Sequence, residues 1–132
     1  MKYEDDNKKY ILDPLSEFVK FMKKTIKEKK VSKRDVFGMA EIPVSYGYKI
    51  LLGEKRTKQR DVIIRICYVA NFNVEEIQEA LRLYEMPELY NKIFRDKIIL
   101  EAFESSDRDI NIINDKLKQN KLASLKECGE DN

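Results

Sequence analysis

Three residues punctuate the stretch from Val31 to Gly53 and leave its backbone few choices. Ser32 stands three residues before Asp35, the spacing at which a hydroxyl caps a helix start and a carboxylate can return a bond to the cap. Pro43 disfavours an α conformation at Ile42, so a helix opened at Ser32 must end before it. Gly53 then supplies a left-handed stop for a second helix running from about Val44 to Leu52. The spacing predicts two short helices joined by a tight turn, with Val36 and Ala40 facing inward on the first.

The rest of the chain reads as helix as well. Only four glycines and three prolines occur in 132 residues, too little turn chemistry for a many-stranded fold. Asp13-Pro14 opens a helix with an apolar line at Leu15, Phe18, Val19, Met22 and Ile26, while Lys20, Lys23, Lys24 and Lys27 take the remaining surface. After the basic loop Gly53–Gln59, the residues Val62, Ile63, Ile66, Cys67, Val69 and Ala70 give a helix with a broad buried face. Asn73 caps the next helix, Glu75 and Glu76 favour its start, and Val74, Ile77, Leu81 and Tyr84 form its inner line up to Pro87.

An internal echo follows. Arg60-Asp-Val-Ile-Ile parallels Arg95-Asp-Lys-Ile-Ile at an offset of 35, and after one inserted residue Val74, Ile77, Leu81 and Leu89 parallel Ile110, Ile113, Leu117 and Leu125. This pattern predicts a duplicated helical hairpin. The expected organisation is an N-terminal arm (1–12), a helical domain (13–90), a second hairpin packed on it (91–125) and a disordered tail (126–132).

Charge is divided along the chain. Residues 1–19 carry −2, residues 20–60 carry +9 from thirteen Lys/Arg against four Asp/Glu, and residues 61–132 carry −5. Such an asymmetry points to a polyanionic partner for the basic portion, or to its docking on the acidic portion. With no histidine, Cys67 and Cys128 lack the usual activating base, and no glycine-rich phosphate loop is present. An enzyme is not expected, nor is a metal or cofactor. No apolar run of membrane-spanning length occurs and the N-terminus has no signal-peptide core, so a cytoplasmic setting without membrane contact is expected.

Residues 14–86 resemble the lambda-repressor-like (XRE-type) helix-turn-helix domain of bacterial and phage regulators, in a bacterial subfamily with a second hairpin appended. Val31-Ser32 matches the family's helix start, Ile50-Leu-Leu-Gly53 the end of its recognition helix, and Lys55-Arg56 its basic loop. The resemblance implies an all-α, five-helix DNA-binding domain followed by a helical hairpin. It implies a transcription regulator that binds double-stranded DNA, commonly as a homodimer.

Carried over by position, the groove-facing side chains are Val44, Ser45, Tyr46, Tyr48 and Lys49, with Lys33, Arg34, Lys55, Arg56 and Lys58 on phosphates. For the two tyrosines half-buried packing is at least as good a reading, and for Lys55, Arg56 and Lys58 an ordinary solvated loop.

Three residues depart from the family pattern. Glu41 stands where the turn glycine is usual, Phe37 where a small alanine is, and Gly47 where an apolar anchor is. A positive φ at Glu41 would cost about 1–2 kcal/mol of strain, and the Phe37 ring is expected to fill the space left at Gly47. The same departures motivate an alternative, a helix-turn-helix repurposed as a protein–protein adaptor working through the acidic C-terminal hairpin.

Overall fold

The computed structural model describes residues 14–127, and within them every secondary-structure element is a helix. Seven helices follow in order: α1 (Pro14–Glu28), α2 (Lys33–Ala40), α3 (Val44–Leu51), α4 (Arg60–Val69), α5 (Val74–Leu83), α6 (Phe94–Phe103) and α7 (Ile110–Gln119). The expected arm, the Asp13 cap and Cys128 lie outside the described residues. None of the described helices is long and apolar enough to cross a membrane.

Helix boundaries fall where local chemistry puts them. The Ser32 hydroxyl accepts from the Asp35 amide at 3.0 Å. Asn73 and Glu76 close a full capping box, each side chain accepting from the other's backbone amide at 2.8 and 2.9 Å.

Most helix ends share one device, a left-handed residue followed by an apolar one. Glu41 has φ 59° and ψ 45°, while Asn71, Glu85 and Lys121 have φ between 60° and 70°. After each, the amide of Ile42, Phe72, Met86 or Leu122 donates back to the carbonyl of Phe37, Cys67, Leu81 or Leu117 at 2.9–3.2 Å. At the end of α3 the left-handed residue is Gly53 (φ 77°), and there the Glu54 amide, not that of an apolar residue, donates back to the Lys49 carbonyl at 2.9 Å. Elsewhere the strain of a side chain in this region is offset by burial of the apolar residue that follows.

α4 is the centre of the molecule. Residues 61–70 are all buried, more than the one broad face its apolar residues suggested. The helix is enclosed because α2, α5 and α7 pack on different sides of it. α1 lies across α3 and α5, burying Phe18, Met22 and Ile26. The Phe18 ring meets the buried Tyr84 ring edge-on at 4.6 Å.

Each expected copy is a pair of ten-residue helices, α4–α5 and α6–α7, and the two pairs are held by a reciprocal exchange. Arg60 reaches Asp96 at 2.5 Å, and Arg95 makes a two-pronged pair with Asp61 at 2.9 and 3.1 Å. Each arginine also grips the end of its own hairpin: Arg60 the carbonyls of Pro87 and Glu88, Arg95 those of Ala123 and Ser124. Each aspartate accepts from the end of the other hairpin, Asp96 from the Tyr90 amide and Asp61 from the Lys126 amide.

Within each hairpin an amide side chain holds the returning strap, Gln78 at Leu89 and Asn114 at Leu125. Tyr68 and Phe103, also equivalent at offset 35, meet edge-on at 5.4 Å at the far ends of α4 and α6. Contacts in which i meets j′ while j meets i′ are the signature of a twofold axis. Lys126, expected to open a disordered tail, is held in place, its amide and carbonyl both bonded because Asp61 and Arg65 recruit them; residues 128–132 of that expected tail lie outside the described residues.

The copies differ where only one has a helical layer to bury. Val62, Ile66, Ala70, Ala80 and Tyr84 of the first hairpin are fully buried. Their equivalents are Lys97, Glu101, Ser105, Lys116 and Asn120. The second hairpin thus keeps the face that meets the first and turns its other face to water.

Candidate nucleic-acid interface

α2 and α3 meet through an aromatic side chain set into a gap. The Phe37 ring is fully buried, and a Cβ added at Gly47 would lie 2.6 Å from its Cε1 and 2.7 Å from its Cγ. The ring therefore occupies the volume a side chain at 47 would need, as expected from the residue types. Tyr48 packs edge-on against the same ring at 5.0 Å.

This arrangement sorts the α3 residues. Ser45 and Lys49, one turn apart, are exposed, and Leu52 continues their line at 48% exposure. Val44, Tyr46 and Tyr48 are half-buried and packed against the core. The outward ridge of α3 is thus Ser45–Lys49–Leu52, with the tyrosines on its flanks. Pro43 offers no side-chain cap, so the start of α3 has no such acceptor for its first amides.

At the start of α2, Arg34 is exposed and Lys33 half-buried. Lys58 is exposed. Arg56 is occupied: it donates to the Tyr84 carbonyl at 3.0 Å, pairs with Glu85 at 3.2 Å and lies 5.2 Å from the centre of the Tyr84 ring. The loop is pinned further where the Thr57 amide donates to the Tyr84 hydroxyl at 3.0 Å. Lys55 is half-buried. Of the ten positions considered, Lys33, Arg34, Ser45, Lys49 and Lys58 remain the most available to a partner, whereas Arg56 serves the α4–α5 hairpin.

The structure adds residues that pattern reading passed over. Met39 is 46% exposed and lines, with Val31, Arg34, Asp35, Gly38 and Val44, an open concavity of about 660 Å³ between α2 and α3. Its place beside the Val36–Ala40 line rather than on it was the available signal. Arg65 has no such signal. Buried within α4, it donates to the Ala40 carbonyl at 2.5 Å and to the Leu125 and Lys126 carbonyls at 3.0 and 2.9 Å. One guanidinium thereby ties the turn after α2 to the end of the second hairpin.

Titratable groups outside this surface serve packing. Burial pushes the Cys67 thiol well above its ordinary range, and Glu76 adds to the effect. Burial also raises the Tyr68 phenol, with the Arg108 guanidinium opposing it. Arg108 itself, its pKa lowered by burial, bonds the carbonyls of Tyr68, Phe72, Phe103 and Ser105 where α4 and α6 end. No grouping of His, Cys, Asp and Glu suited to a metal occurs among the described residues.

No family model, curated protein or solved structure matches the chain.

Proposed function

We propose that this protein is a DNA-binding regulator of the lambda-repressor-like helix-turn-helix type, with α2 and α3 as its two-helix reader. The reading rests above all on one observation: Ser45 and Lys49 form an exposed ridge on a short helix whose companion begins with Lys33 and Arg34. In the proposed complex α3 enters the major groove. Ser45 and Lys49 reach base edges and Lys33, Arg34 and Lys58 hold phosphates. Tyr46 and Tyr48 brace the ridge, and Tyr48 does so through Phe37. A ridge this poor in Arg, Asn and Gln reads few bases bidentately, so backbone contacts dominate affinity. Two copies binding two half-sites is the expected assembly.

Titration of duplex DNA at rising salt tests this. Affinity should fall steeply, with log K dropping by about 0.9 for each phosphate neutralised per decade of salt. Lys33→Glu with Lys49→Glu should weaken binding at least about tenfold on any sequence at low salt. A chain that binds no duplex at low salt is not a DNA-binding protein.

A second reading, a protein adaptor, draws on the exposed apolar side chains Met39, Leu52, Tyr90, Ile93 and Phe94. A stable protein complex that persists in the Lys33/Lys49 variant would favour it.

A further inference from the structure

Most of the positive excess in residues 20–60 does not belong to the two-helix reader. Residues 33–58 hold six Lys/Arg and three Asp/Glu, whereas residues 20–32 hold six lysines and one glutamate. Four of those lysines, Lys20, Lys23, Lys24 and Lys27, share the outer face of α1 at i, i+3, i+4 and i+7, and all are exposed. They rim, with Glu28, a shallow trough of about 510 Å³.

Ion pairing on α1 is sparse and weak. Lys20 meets Glu17 at 3.6 Å and Lys24 meets Glu28 at 3.3 Å, both well exposed, while Lys23 and Lys27 have no ion pair among the described residues. Some basic groups elsewhere are answered at close range: Arg60 by Asp96, Arg95 by Asp61, Lys29 by Glu76 and Arg82 by Glu79 and Glu88. What sets α1 apart is that its four lysines crowd one helix face. On α1 the pairs 20–23, 20–24, 23–27 and 24–27 are like-charged neighbours, each of which destabilises a helix. A bound polyanion removes that repulsion.

The row also joins the reader at both ends. Lys20 shares a cleft with Leu52 and Gly53, at the end of α3. A Cβ at Gly53 would lie 3.3 Å from Val19 Cγ2, so α1 starts against that end. At its other end α1 runs through Lys29 and Lys30 into the Ser32 cap, directly before Lys33 and Arg34. The eight residues of helix from Lys20 to Lys27 span about 10 Å, enough to follow one to two phosphates of a strand.

We infer that the lysine face of α1 is a second phosphate-binding track, gripping the sugar–phosphate backbone of the same duplex beyond the segment that α3 occupies. The inference rests on the DNA-binding reading above. Charge complementarity and continuity with the reader single out a nucleic-acid backbone, and the compact trough suits a strand better than a planar lipid surface.

The test compares the full-length chain with Lys23→Gln/Lys27→Gln, and with Lys116→Gln/Lys118→Gln on α7, which removes the same charge from the other hairpin. Binding to a long duplex is measured across a salt series. The α1 variant should lose about 1.8 from the slope of log K against log salt, and about 10- to 60-fold in affinity at low salt. The α7 variant should keep the wild-type slope. Unchanged thermal melts of both variants establish that they fold.

Equal slopes in wild type and α1 variant overturn the track while leaving the reader standing. Equal losses in both variants overturn it as a net-charge effect. Binding to phosphatidylserine-containing vesicles that depends on Lys23 and Lys27, with the DNA slope unmoved, reassigns the face to a membrane surface. A wild-type chain that binds no duplex removes both readings.

Discussion

Gly47→Ala reports directly on how α2 and α3 are joined. In an ordinary helix interior this change stabilises by about 1 kcal/mol, because alanine loses less backbone entropy. Here the new methyl would stand against the Phe37 ring, 2.6 Å from Cε1 and 2.7 Å from Cγ. The ring cannot easily withdraw, being fully buried with Tyr48 packed on it. Overpacking at a close-packed site costs about 1–3 kcal/mol, and contacts this short place the cost near the top of that range. The net effect is a destabilisation of about 1–2 kcal/mol.

Phe37→Ala alone should cost about 3–5 kcal/mol through lost burial and the cavity it leaves. In that background Gly47→Ala should become stabilising by about 1 kcal/mol, since the ring is gone and only propensity remains. The two changes are then coupled by about 2–3 kcal/mol, which a double-mutant cycle in urea resolves through the unfolding midpoints. If Gly47→Ala stabilises both backgrounds equally, the ring does not fill the glycine gap, and this account of the helix crossing fails.

Two other perturbations probe the rest of the frame. Asp61→Asn removes the anionic partner of Arg95 and weakens the acceptor for the Lys126 amide, so it should destabilise by about 2–4 kcal/mol and raise hydrogen exchange at Leu125 and Lys126. An exchange pattern unchanged at those amides would refute the reciprocal pairing.

Cys67 should resist thiol reagents in the native protein and react at the rate of unfolding. Its folded pKa lies above the unfolded one, so its contribution to stability is fully present below about pH 8.5 and is lost as pH rises through the folded value. The Tyr68 phenol, also raised, acts in the same direction at higher pH. The melting temperature should therefore fall on the alkaline side, and Cys67→Ala should reduce that fall between about pH 9 and 10. A fall of the same size in the variant would locate its origin elsewhere.

Much of the architecture is written locally. Ser32, Asn73, Pro43 and Gly53 act on atoms only a few bonds away, so helix boundaries could be read from residue types. The apolar lines of α1 and α5 are likewise set by helical periodicity. The repeat was legible because its Arg-Asp-x-Ile-Ile starts are literal copies.

Departures from a familiar pattern were informative for the same reason: a large residue at 37 and none at 47 must balance in volume. Harder to read were the left-handed positions at Asn71, Glu85 and Lys121, since their residue types do not demand that conformation. Their signal was the apolar neighbour that follows each.

Charged residues were ambiguous from sequence, and there tertiary structure alone decided. Arg56, Lys58, Arg60 and Arg65 lie within ten residues and look alike as basic side chains. In the fold Arg56 is held by Tyr84 and Glu85, Arg60 by Asp96, and Arg65 by carbonyls some 60 residues away, while Lys58 is exposed.

A guanidinium is stable either in water or in a nest of carbonyls and carboxylates, and which it meets depends on chain segments brought from far along the sequence. The sequence by itself determined where helices begin and end, which faces are apolar and that a hairpin is duplicated, because those rest on short-range geometry and hydrophobic period. Only the fold decided which charges are spent inside the molecule and which remain at its surface, because long-range packing sets the solvation of each one.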